Sequence, residues 1–124
     1  MDPKSVYLSR PWLKFYETGV PANPEVPLKS VPQAFDEATT KFGAKTALVF
    51  YGREISFREL REHSERLAGA LAGLGLKKGD RVGLYLLNSP QFVIAYFAAL
   101  KLGCTVTPIS PVYTSHEVKF QLEN

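Results

Sequence analysis

Lys101-Leu-Gly-Cys-Thr-Val-Thr-Pro-Ile-Ser-Pro-Val-Tyr-Thr-Ser-His-Glu-Val-Lys-Phe-Gln-Leu-Glu-Asn124 is the stretch whose reading decides the fold. Gly103 stops a helix, Thr105 to Ile109 reads as a buried strand, and Ser110-Pro111 opens a proline-bearing loop. Ser115 is then placed to cap a further helix, which the end of the chain cuts short. Immediately upstream, Asp80-Arg-Val-Gly-Leu-Tyr-Leu-Leu87 is a nearly continuous apolar run, the pattern of a strand covered on both faces in a parallel sheet. Asn88-Ser89-Pro90 starts a helix with Ser89 as cap and proline in the first turn, and that helix runs to Leu102. Residues 80 to 109 therefore form a strand-helix-strand unit, joined as a right-handed parallel crossover.

The same signals continue toward the N-terminus. Ser56-Phe-Arg-Glu59 is a capping box, followed by Leu60, Ser64, Leu67, Leu71 and Leu74 on one helical face, with Ala68 to Ala70, Ala72 and Gly73 keeping neighbouring positions small. Thr46 to Tyr51 reads as a strand, Gly52-Arg53 as a turn and Glu54 to Ser56 as a short antiparallel return. Ser30, Pro32 and Gln33 open a helix that ends at Gly43. Residues 1 to 29 carry five prolines and no sustained period, so they read as an extended, proline-rich aromatic arm, anchored by burial of Trp12, Phe15 and Tyr16. The expected architecture is an α/β three-layer sandwich with a partly parallel sheet: an arm over 1–29, then residues 30–124 as an incomplete part of a larger domain whose sheet continues elsewhere.

The chain has 124 residues, 45% hydrophobic and 22% charged, a composition that argues against disorder. Its net charge of +3 is not gathered into a basic face, since acids alternate with bases from Arg53 to Arg66, so a nucleic-acid partner is not expected. A single cysteine, Cys104, rules out an internal disulfide, and its apolar strand setting makes it a buried hydrophobe rather than a nucleophile. Met1-Asp-Pro-Lys-Ser lacks the pattern of a secretory signal, and a cytoplasmic protein is expected. The apolar run Phe92 to Leu100 is too short for a transmembrane segment, which needs about 20 residues.

Five elements in order carry a resemblance. Ser56-Phe-Arg-Glu-Leu60, Lys77-Lys-Gly-Asp-Arg-Val82, Asn88-Ser-Pro-Gln-Phe92, the turn from Leu100 to Pro108 and the helix start Tyr113-Thr-Ser-His-Glu117 together resemble the early core of the adenylate-forming (AMP-binding) ligases. Arg10-Pro-Trp-Leu-Lys-Phe-Tyr-Glu-Thr-Gly-Val-Pro21 resembles the segment that opens medium- and long-chain fatty acyl-CoA synthetases. The resemblance implies a parent enzyme that joins a fatty acid to coenzyme A through an acyl-adenylate, using ATP and Mg²⁺. It also implies that the phosphate loop, the adenine- and ribose-binding groups and the mobile lysine belong to family segments beyond Asn124. No catalytic, cofactor-binding or metal-binding residue is therefore assigned to this chain, and these residues alone are expected to be inactive.

The local candidates for chemistry each have a plainer reading. Gly73, Gly75 and Gly79 beside Lys77 and Lys78 lie between helix and strand, the wrong context for a phosphate loop, and read as a surface turn. His63, beside Glu59 and Glu62, has no second ligand at metal spacing and reads as solvated. Glu117, after His116, complements a helix N-terminus rather than acting as a base. Asp36-Glu37 and Glu62 with Glu65 read as exposed helix charges. Tyr113 and the loop from Pro108 to Pro111 are the positions expected to meet the rest of an intact enzyme. Two alternatives stay open: an aryl-CoA ligase or other adenylate-forming enzyme, and a free-standing module for binding or oligomerisation. Exposed apolar elements make self-association of the 124 residues the expected behaviour.

Overall fold

The computed structural model describes residues 3–123. In chain order the elements are α1 (Pro3–Ser9), a 3₁₀ turn (Pro11–Phe15), α2 (Val31–Lys41), β1 (Thr46–Phe50), β2 (Arg53–Ser56), α3 (Phe57–Gly73), β3 (Arg81–Tyr85), α4 (Pro90–Lys101), β4 (Thr105–Ile109) and α5 (Ser115–Glu123). The fold is mixed α/β, as expected. Strands β3 and β4 pair in parallel with Arg81 opposite Thr105 and Tyr85 opposite Ile109, and α4 is the crossover between them. The antiparallel hairpin β1–β2 forms a separate two-stranded sheet.

Local chemistry sets the helix starts. Ser30 and Ser56 each accept a hydrogen bond from the backbone N–H three residues on, while Gln33 and Glu59 reach back to the cap N–H, so both capping boxes are complete. Ser89 caps α4 through the Phe92 N–H, with Pro90 in the first turn. At α5 the cap lies one residue earlier than the sequence suggested: Thr114, not Ser115, receives the Glu117 N–H on its Oγ1, because Glu117 stands three residues after Thr114 and so completes that box. The hairpin turn also shifts by one. Tyr51 (φ 48°) and Gly52 (φ 79°) form it, and Arg53 is already in β2. Two central residues with positive φ match the twist of the flanking strands.

The core lies between the hairpin and helices α2, α3 and α4. Phe35, Ile55 and Leu60 are buried, with Ala47, Leu48, Val93, Ile94 and Phe97 packed against them. The Phe35 and Phe97 rings stack with centroids 3.8 Å apart. Helices α3 and α4 form the most extensive contact between any two elements, and Ser64, Ala98 and Ala99 are fully buried on them. The predicted stripe on α3 holds from Leu60 through Leu71 but not at Leu74, which follows the last helical residue and stands exposed. Lys101 at the end of α4 binds Asp36 on α2 (2.5 Å) and Glu65 on α3 (3.4 Å), tying three helices at one point. Alternation along β3 buries Leu84 and turns Gly83 and Tyr85 to the opposite face. There α5 brings Leu122 within 3.6 Å of where a Gly83 Cβ would stand. Helices on the two faces of this small sheet give the three layers.

The N-terminal segment is not extended throughout, as the sequence suggested. Residues 3–15 are largely helical, because Pro3 and Pro11 occupy helix starts, where proline costs no hydrogen bond. Phe15 is 78% exposed, Tyr16 is exposed and Trp12 is only half-buried, with Tyr7 set edge-on to it at 5.8 Å. The tie that forms is polar: Arg10 donates to the Asn23 side chain and to the Ala22 carbonyl, drawing residues 22–23 back onto the 3₁₀ turn.

Candidate functional site

In open α/β sheets ligands bind outside the carboxyl ends of parallel strands. Here two loops leave that edge, residues 86–89 after β3 and residues 110–114 after β4. They enclose an open groove of about 430 Å³, lined by Leu86, Leu87, Asn88, Phe92 and the segment from Pro108 to Tyr113. Tyr113 also borders two shallow hollows along α5, one with His116, Glu117 and Phe120, the other with Tyr85, Val118 and Leu122.

Each wall has an identifiable support. Tyr85 donates its hydroxyl to the Pro111 carbonyl at 3.0 Å, and the Gln121 amide donates to the Pro108 carbonyl at 3.0 Å. The Tyr113 N–H closes a turn on the Ser110 carbonyl at 3.0 Å. The Glu117 carboxylate accepts from both the N–H and the hydroxyl of Thr114, at 2.7 Å each. The backbone bond and then the hydroxyl bond hold its carboxyl below the ordinary glutamate value. Glu117 is thus committed to capping the start of α5. The groove has an apolar wall, Leu86, Leu87, Phe92, Ile109 and Val112, and a polar rim at Asn88 and Ser110.

The other candidates are dispersed. The Lys77 to Asp80 turn spends its donors internally: the Lys77 N–H binds Asp80 Oδ2 at 2.8 Å, and the Gly79 N–H binds the Gly103 carbonyl at 3.0 Å. That leaves no cradle for a phosphate there. Cys104 is buried and its Sγ meets the Lys77 carbonyl at 3.5 Å. His63 is half-buried rather than solvated, with Arg66 at 2.6 Å from Nδ1, beside a hollow formed by Arg53, Ile55, Pro90 and Ile94. Glu65 is held below the ordinary glutamate value first by the Arg61 hydrogen bond, with Lys101 adding to it. Asp36 and Glu65, read as exposed helix charges, are nearly half-exposed and also pair with Lys101. Among the described residues no group of three His, Cys, Asp or Glu side chains could hold a metal ion. Nothing in this donor set fits Mg²⁺ with a nucleotide. Among the described residues no helix is long and apolar enough to cross a membrane.

The sequence singled out Tyr113 and the 108–111 loop, and the structure places both at the groove. It did not single out Leu86, Leu87, Phe92 or the supports Tyr85 and Gln121. The one available signal was that the apolar run of β3 continues past the strand, where side chains serve a crevice rather than a core.

Comparison with known proteins places this geometry. The family model described as AMP-binding enzyme matches residues 35–124. The long-chain-fatty-acid–CoA ligase of Bacillus subtilis is 36% identical over 93% of this chain and 20% of its own length. That of Salmonella typhimurium is 38% identical over 94% of this chain and 21% of its own length. The N-terminal subdomain of Klebsiella oxytoca NpsA, solved with 3-hydroxyanthranilyl-AMSN, superimposes with a TM-score of 0.76 at 34% identity, covering 77% of this chain and 25% of that one. The anthranilate CoA ligase AuaEII superimposes with a TM-score of 0.72 at 30% identity, covering 78% of this chain and 19% of that one. The chain spans about one fifth of the length of the curated relatives it matches.

Proposed function

The chain belongs to the AMP-binding enzyme family, and we propose that it is the opening portion of a fatty acyl-CoA ligase, with residues 1–29 as a leading arm and 30–124 as the first part of the large domain. The complete enzyme converts a fatty acid, ATP and coenzyme A to acyl-CoA, AMP and pyrophosphate. A carboxylate and a polyphosphate repel each other, so the adenylation step needs concentrated positive charge and oriented N–H donors. The described residues gather neither into one site. The portion's role is structural: it supplies the first parallel strands, and the groove around Tyr113 receives later parts of the domain. Alone, it is inactive. The reading places the enzyme in the cytoplasm.

The observation that carries the acid class is coverage. The Bacillus and Salmonella fatty-acid ligases align over 93–94% of the chain, a span that must take in most of residues 1–29. NpsA and AuaEII cover 77–78%, and a Salmonella paratyphi crotonobetaine/carnitine–CoA ligase covers 77%. The leading arm is thus shared with fatty-acid ligases. Assaying the complete enzyme with a panel of acids tests the reading. Medium- or long-chain aliphatic acids are expected to give kcat/KM at least tenfold above benzoate-like acids and amino acids, and the reverse order would return the aryl-CoA ligase alternative. The 124 residues alone, given ATP, Mg²⁺ and fatty acids, are expected to release no pyrophosphate above background.

A further inference from the structure

Among the described residues β3 and β4 pair only with each other, so each leaves one backbone edge open. The two edges differ. The Thr105 N–H binds the Asp80 carbonyl at 2.8 Å, with Arg81 opposite Thr105. Backbone groups alternate along a parallel ladder, so Thr105, Thr107 and Ile109 turn theirs toward β3, while Val106 and Pro108 turn theirs outward. Pro108 has no N–H to offer a further strand, and its carbonyl already accepts from the Gln121 amide at 3.0 Å. That closes the outer edge of β4. On β3 the outward positions are Arg81, Gly83 and Tyr85, none of them proline, so this edge can take a full ladder.

The helices point the same way. Helix α4 packs against β3 and β4 as their crossover, whereas α5 lies on the opposite face, with Leu122 against Gly83. A right-handed connection that leaves β4 by the opposite face must run in the opposite direction, back across β3. We propose that in the complete enzyme the parallel strand following α5 pairs with the open edge of β3, and that β4 stays an edge strand. The occupant of the β3 edge is then a later segment of the same domain. This rests on reading the chain as the opening portion of a longer enzyme, and the acid that the enzyme activates does not enter.

Residue-resolved hydrogen exchange on the complete enzyme decides it, because both edges are read in one molecule. Val82, Leu84 and Thr107, whose N–H groups lie inside the β3–β4 ladder, give the protected reference. The Gly83 amide should exchange within about tenfold of that reference, and the Val106 amide at least about a hundredfold faster. Fast exchange at Gly83, or exchange at Val106 as slow as the reference, would overturn the proposal. The acid panel is read separately: a preference for aryl acids with Gly83 slow and Val106 fast would remove the fatty-acid reading and leave the strand order standing.

Discussion

Ser64 offers a sharp test of how the main helices pack. It lies on the buried face of α3, fully enclosed, with its hydroxyl donating to the Leu60 carbonyl at 2.8 Å. The fully buried side chains on α3 and α4 are small, Ser64 on one and Ala98 and Ala99 on the other. A small side chain at 64 therefore serves close approach more than polarity. Ser64→Ala removes one local hydrogen bond, worth about 0.5–1.5 kcal/mol net, and recovers about 0.5 kcal/mol of helix propensity, and it strands no partner because the Leu60 carbonyl keeps its place in the helix ladder. The net change is about 1 kcal/mol or less. Ser64→Leu puts two more heavy atoms into that space, and such overpacking costs about 1–3 kcal/mol or more. Urea unfolding is the assay. With a slope near 2 kcal/mol per molar, the alanine variant should keep its midpoint within about 0.5 M, and the leucine variant should lose about 0.5–1.5 M or more, and more than the alanine variant. Equal loss in both, or a leucine variant as stable as the parent, would refute close helix approach as the reason for serine here.

Three further outcomes follow from other contacts. Lys101→Met keeps the apolar stem but removes the cation shared by Asp36 and Glu65; because both acids are nearly half-exposed and resolvate, the loss should be about 1 kcal/mol and should shrink in 1 M salt. Gly103 has φ +76° and faces Lys78, whose Cγ would lie 2.9 Å from an added Cβ, so Gly103→Ala should cost about 1–2 kcal/mol, whereas Gly69→Ala, on an open helix face, should gain about 0.5–1 kcal/mol; thermal unfolding reads both. Glu59 is held below the ordinary glutamate value, first by the Ser56 backbone N–H and then by its hydroxyl. A depressed folded pKa contributes stability that is fully present above the unfolded value and is lost as pH falls through the folded one, so Glu59→Gln should flatten the decline of the urea midpoint below about pH 4.5.

Elements whose signals are local were legible in the sequence. The boxes at Ser30 and Ser56 depend on residues three apart, and the β3–α4–β4 unit depends on a cap, an apolar run and a glycine stop, all short-range. The misplacements have short-range causes too. Thr114 and Ser115 are both competent caps, and only the distance to Glu117 chooses between them. Tyr51 takes a positive φ that tyrosine does not favour, so the turn could not be centred on it from propensity. The arm was legible only in part: Pro3 and Pro11 open short helical turns where an extended run was expected, and Phe15 stays exposed within this chain. The groove was half-legible, since Tyr113 and the prolines stand out, while Leu86 and Leu87 read as strand until the strand is seen to end at Tyr85.

If this chain is the opening portion of a fatty acyl-CoA ligase, it should work in the place of the corresponding part of a relative, and a hybrid enzyme reads that out. In the Bacillus subtilis long-chain-fatty-acid–CoA ligase, the matching one fifth would be replaced by these 124 residues. The hybrid is expected to fold and to form palmitoyl-CoA with kcat/KM within about a hundredfold of the parent, a loss of up to roughly 3 kcal/mol for mismatched packing, and with the parent's preference for aliphatic acids. A hybrid that melts cooperatively yet releases no pyrophosphate with palmitate, ATP and Mg²⁺ would contradict it.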